Sequence, residues 1–88
     1  WNTIFKPNEY ITWANSPLKE LKEKEYMYFV HSYYVVPSNT KDILSITNYE
    51  DIIYCSSINK NNIFAVQFHP ERSAQKGLSI YKNWIDTL

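Results

Sequence analysis

Three extended runs follow one another closely in this chain: Ile43 to Thr47, Ile52 to Ile58 and Ile63 to Phe68. Branched and aromatic residues favour extended backbone on a half-buried surface. The joins are short and carry turn chemistry. Asn48 to Asp51 links the first pair, and Asn59-Lys60-Asn61-Asn62, whose asparagines tolerate the left-handed region, links the second. The three runs therefore predict an antiparallel meander.

The meander delivers the stretch Gln67-Phe68-His69-Pro70-Glu71. Pro70 disfavours the α region for His69 and offers no N–H to prolong a ladder, so the histidine sits where the strand stops. Strand ends of α/β sheets are where sites are usually built, and an imidazole backed by a carboxylate is the base and orienter of nucleophilic catalysis. A solvated turn with an incidental ion pair satisfies the same spacing. Position alone leaves both readings open.

Upstream of the meander, Asn2 to Phe5 reads as a short strand, broken by Lys6-Pro7-Asn8, and Tyr10 to Trp13 has no clear period. Ser16-Pro17 reads as an N-cap with proline at the first helical position, opening a short helix that ends near Glu25, with Leu18 and Leu21 on one side. Its run of alternating charges, Lys19 to Glu25, is a solvated face. Tyr26 to Val30 is a β-type run leading into His31-Ser32-Tyr33-Tyr34-Val35-Val36, closed by Pro37-Ser38-Asn39. After the meander, Ser73 reads as the cap of a final helix whose Leu78, Tyr81, Ile85 and Leu88 share one face, widened by Ile80 and Trp84. A helix with such a face packs on a sheet, which makes the class mixed α/β.

At 88 residues the chain is near the lower limit for one hydrophobic core, so one domain or a piece of one is expected. Four prolines against a single glycine leave almost no cheap route to positive φ, which is unusual for a whole α/β enzyme and favours a piece. Hydrophobic residues at 44% exclude disorder. Nine cationic and nine anionic side chains cancel, so no long-range field gathers nucleic acid or an anionic membrane. No apolar run reaches membrane-spanning length, the single cysteine excludes an internal disulfide framework, and a cytoplasmic location is expected.

Cys55 is rejected as a nucleophile: it lies mid-strand between Tyr54 and Ser56, without the glycines that a nucleophile elbow requires. A small buried hydrophobe is the expectation for it. His31, Cys55, His69 and Glu71 lack the paired spacings that fix zinc ligands, so neither metal nor cofactor is expected. His31 reads as a hydrogen-bonded structural group and Gly77 as a close-packing position. Tyr26, Tyr28, Tyr33 and Tyr34 read as core, interface or both.

The strings FVHSYYV and FAVQFHPERS, followed by a glycine and an aromatic-ending helix, resemble the class I glutamine amidotransferases. Within that superfamily Trp1-Asn2, FVHSYYV and the ending QFHPERSxxxGLxxYxNW look most like the glutaminase subunits of imidazole glycerol phosphate synthases. QFHPE belongs to the whole superfamily, so the finer likeness rests on the other strings. The resemblance implies a flavodoxin-like α/β fold and a cysteine that attacks the side-chain amide of glutamine, the substrate, releasing ammonia and a glutamyl thioester that water hydrolyses. His69 would be base and acid for that cysteine, and Glu71 would orient the imidazole. Ser32 and Tyr33 match substrate-holding positions. Trp1, Tyr28 and Arg72 match positions near a partner synthase subunit, a (β/α)₈ barrel that receives the ammonia. Arg72 stands where lysine is usual, and its bidentate geometry would differ.

The family's nucleophile lies in a G-x-C-x-G-like turn of its N-terminal half, and no such turn occurs here. The resemblance therefore implies that residues 1–88 are the C-terminal part of a single glutamine amidotransferase domain, serving histidine biosynthesis as a heterodimer with the cyclase. Two alternatives stand beside this: a paralogous subunit for surface-sugar amination, and an interaction module without catalysis.

Overall fold

The computed structural model describes residues 1–29, 36–60 and 63–86. Two antiparallel sheets organise the chain. Strands β1 (Asn2–Ile4) and β2 (Glu25–Met27) form a pair, with Asn2 opposite Met27 and Ile4 opposite Glu25. Strands β3 (Ile43–Tyr49), β4 (Ile52–Lys60) and β5 (Ile63–Val66) form the meander expected from the sequence, in the order β3-β4-β5. Glu50 and Asp51 make the first turn with φ of 48° and 68°, as a two-residue hairpin of the primed type requires. The sheets meet where Phe5 and Ile46 exchange backbone hydrogen bonds, at 2.8 and 2.7 Å.

The register of β3 on β4 slips around Ser45, which stands opposite Ser57 while Ile46 stands opposite Cys55. The buried hydroxyls created there satisfy one another, with Ser45 Oγ 2.8 Å from Ser56 Oγ and 2.5 Å from Ser57 Oγ. The core is built from Ile4, Trp13, Leu18, Leu21, Met27, Leu44, Phe68 and Ile80. Trp13 anchors the otherwise irregular segment before β2, its indole N–H donating to the carbonyl of Leu44 at 2.8 Å.

The expected helix from Ser16 to Glu25 does not form. Ser16 accepts the N–H of Leu18 on its hydroxyl at 3.1 Å, as a capping residue does, but the chain continues in turns closed three residues back, Lys19 on Ser16 and Leu21 on Leu18. A segment this short gains too few bonds to repay helix nucleation. It must also reverse at Lys24, whose φ is 70°, so that Glu25 can pair with Ile4. Leu18 and Leu21 are buried from turns instead.

Helix α1 (Ala74–Asp86) closes the chain. Its inward face is Gly77, Ile80 and Asn83. Of the face expected from apolar spacing, Ile80 is buried, whereas Leu78, Tyr81 and Ile85 are exposed, which corrects that expectation, and Leu88 lies outside the described residues. Gly77 sets the rotation. A Cβ there would stand 2.2 Å from the carbonyl oxygen of Pro70, so only glycine lets the helix sit this low on the preceding turn. Among the described residues no helix is long and apolar enough to cross a membrane.

Candidate active site

The strand that becomes β5 does not end the pairing at Val66. Gln67 N–H still donates to Ser56 at 2.9 Å, and two residues on His69 N–H donates to the carbonyl of Tyr28 at 2.8 Å. Phe68 between them is buried and stacks edge-on against Phe29, with ring centres 5.6 Å apart. His69 is extended, at φ −107° and ψ 96°, as a residue before proline should be. Pro70 then opens a 3-10 turn, Pro70–Arg72, that swings Glu71 back alongside the imidazole.

His69 Nδ1 lies 2.9 Å from Glu71 Oε2, with both side chains about half exposed. The other carboxylate oxygen, Oε1, accepts the hydroxyl of Tyr81 from α1 at 3.0 Å. Glu71's own backbone N–H, then His69 and Tyr81, hold its carboxyl below the usual range for a glutamate. An ionised carboxylate only accepts, so the proton of a neutral His69 resides on Nδ1 and the lone pair of Nε2 is left to take one. This arrangement can serve a nucleophile brought to Nε2 as base, and a leaving group as acid.

Ser73, expected as the cap of α1, has another task. Its hydroxyl donates to the carbonyl of His69 at 2.5 Å and accepts the N–H of Tyr28 at 2.9 Å, while Ala74 makes the corner into the helix at φ 60°. Ser73 is buried, and the two hydrogen bonds of the bridge are partly buried. Sequence reading missed this residue and Tyr81 alike, because serine before a helix suggests a cap and tyrosine at apolar spacing suggests core. The i+10 separation from Glu71 carries no pattern in either period.

Trp1, Tyr28 and Arg72, three positions matched to a partner surface, stand together beside the histidine. Tyr28 is the hub: its ring meets Trp1 edge-on at 5.9 Å and His69 at 6.1 Å, and the Arg72 guanidinium lies 5.9 Å from its centre. Trp1 and Arg72 are exposed and Tyr28 is partly buried; Tyr26, on the same strand run, is exposed. Ser32, Tyr33, His31 and Tyr34 lie outside the described residues. Cys55 is buried on β4, its thiol donating to the carbonyl of Ser57 at 3.3 Å, and burial pushes the thiol up. That suits a structural cysteine and not an activated one.

An antiparallel sheet thus delivers a carboxylate-backed histidine to a tight turn before a final helix. The family described as glutamine amidotransferase class-I matches residues 6–87, and the chain belongs to that family. Among its relatives is the imidazole glycerol phosphate synthase subunit HisH of Chlorobaculum tepidum, 38% identical over 98% of this chain and 40% of the relative. The subunit of the same description from Pyrococcus furiosus is 47% identical over 73% of this chain and 33% of its own, and that of Aquifex aeolicus 40% identical over 96% and 38%. The chain thus spans well under half the length of the curated relatives it matches.

Proposed function

We propose that residues 1–88 are the C-terminal part of one glutamine amidotransferase domain that acts as the glutaminase subunit of an imidazole glycerol phosphate synthase. The single observation that carries this is the 2.9 Å contact between His69 Nδ1 and Glu71 Oε2 at a strand end, within a chain of this family. The relatives' description as synthase subunits supports the choice of complex.

In this reading the cysteine nucleophile comes from a part of the domain beyond these residues. His69 Nε2 takes the thiol proton as sulfur attacks the side-chain carbonyl carbon of glutamine, then returns it to the departing nitrogen, which leaves as ammonia. Water, deprotonated by His69 Nε2, attacks the thioester carbonyl carbon; the C–S bond breaks, glutamate is released and the imidazolium returns the proton to the cysteine sulfur. Glu71 holds the ring and balances its charge while it is cationic. Ser32 and Tyr33 hold the substrate. Trp1, Tyr28 and Arg72 face a (β/α)₈ synthase subunit in a cytoplasmic heterodimer, where the ammonia is used to make imidazole glycerol phosphate and AICAR in histidine biosynthesis.

The test is to assemble the full-length protein with the synthase subunit and follow glutamate and imidazole glycerol phosphate together. Glutamine-dependent formation of both is expected. Glutamate release without imidazole glycerol phosphate would move the ammonia to another acceptor, and absence of both would refute the reading.

A further inference from the structure

We infer that Tyr81 is a positioning residue of this site, its hydroxyl fixing the rotation of the Glu71 carboxylate and, through it, the ring of His69. The inference rests on the catalytic reading proposed above. The terminal torsion of a glutamate is broad and roughly two-fold, so a carboxylate tied by one oxygen keeps much of its rotational freedom. In Glu71 the two oxygens are committed to different donors: Oε2 to His69 Nδ1 at 2.9 Å and Oε1 to the Tyr81 hydroxyl at 3.0 Å. One donor stands on the strand end and the other on α1, so neither moves with the other.

The helix is placed for this contact. Gly77 seats α1 against Pro70, where a Cβ would come within 2.2 Å of the carbonyl oxygen, and Tyr81 is one turn further along, at the exposed border of that face. From there its side chain reaches Glu71, the residue after Pro70. The ring is 43% exposed, while Ile80 and Gly77 bury the helix, so packing does not account for a tyrosine at this position. The titratable groups acting on the Glu71 carboxylate are His69 and Tyr81. Partial burial, then Glu71, pushes the phenol up, which keeps its proton in place as a donor and leaves the carboxylate as the acceptor.

The experiment uses the full-length protein assembled with its synthase subunit. Tyr81→Phe keeps the ring and deletes the hydroxyl. The expected result is a fall in kcat for glutamine hydrolysis of about threefold to tenfold, the range of one lost hydrogen bond. KM for glutamine and ammonia-dependent synthesis should be unchanged, and the Glu71 carboxyl carbon should titrate at higher pH by NMR. Unchanged kcat and an unmoved Glu71 titration, beside a Glu71→Gln variant that has lost hydrolysis, would overturn the positioning role and leave the base and orienter standing. An equal fall in ammonia-dependent synthesis would mark a fold defect and overturn it as well. Normal hydrolysis by Glu71→Gln would instead remove the catalytic reading beneath it.

Discussion

His69 N–H donates to the carbonyl oxygen of Tyr28 at 2.8 Å, and Tyr28 N–H donates in turn to Ser73 Oγ at 2.9 Å. The histidine is therefore held from the segment after β2 as well as from its own hairpin. Its position depends on two backbone segments some forty residues apart and on one hydroxyl that closes the circuit through the His69 carbonyl.

Ser73→Ala tests that circuit. Losing the hydroxyl leaves the Tyr28 N–H without its acceptor in a partly buried setting, which costs about 1 kcal/mol. Urea unfolding of the full-length protein should show this loss. Glutamine hydrolysis should fall further than ammonia-dependent synthesis, because only the former uses His69. Equal stability of the variant and the parent would mean that the bridge is redundant.

Gly77→Ala addresses the seating of α1. The added methyl meets the Pro70 carbonyl at 2.2 Å and Ser73 Cβ at 2.5 Å, and the first of these is backbone that cannot swing aside. Overpacking of this kind costs about 1–3 kcal/mol. Thermal unfolding checks it, and a variant as stable as the parent would show that the helix can lift without penalty.

Much of the fold was legible in the sequence, and the errors have physical causes. The meander was readable because each strand carries local chemistry. The second join is shorter than the four residues expected, since Asn59 and Lys60 still pair with Phe64 and Ile63, and Asn61 and Asn62 lie outside the described residues. His69 and Glu71 were readable as a candidate pair because Pro70 acts on the residue before it. The segment after Ser16 was read as helix because its cap is real; what stops it is the long-range demand that Glu25 meet Ile4. The inward face of α1 was misjudged because the decisive residue, Gly77, contributes no hydrophobicity. Ser73 and Tyr81 act across the turn between the strand end and the helix, and no periodicity encodes such contacts.

Acid should act on Glu71 in a defined direction. Its carboxyl is held below the ordinary glutamate value, so between the folded and unfolded values the folded state binds fewer protons. The pairing with His69 is then fully present above the unfolded value, about pH 4.3, and is lost as pH falls through the lower folded one. NMR titration of the Glu71 carboxyl carbon in the full-length protein should give a midpoint below that of an unfolded reference. A midpoint at or above the reference would contradict the hydrogen-bonded geometry.

Cys55 provides a control within the same domain. Its thiol is buried, donates to the Ser57 carbonyl and is pushed up by burial, so it is a poor thiolate. Cys55→Ser should leave glutamine hydrolysis by the full-length complex within about twofold of the parent, at a stability cost on the order of 1 kcal/mol. Loss of hydrolysis in a folded variant would make Cys55 the nucleophile.

The most direct measurement is the pair of activities of His69→Ala in the full-length protein with its synthase subunit. The account predicts that glutamine hydrolysis falls by at least about a hundredfold, as removal of a general base does, while synthesis from added ammonia continues at the parent rate. Glutamine hydrolysis surviving alongside ammonia-dependent synthesis would contradict it.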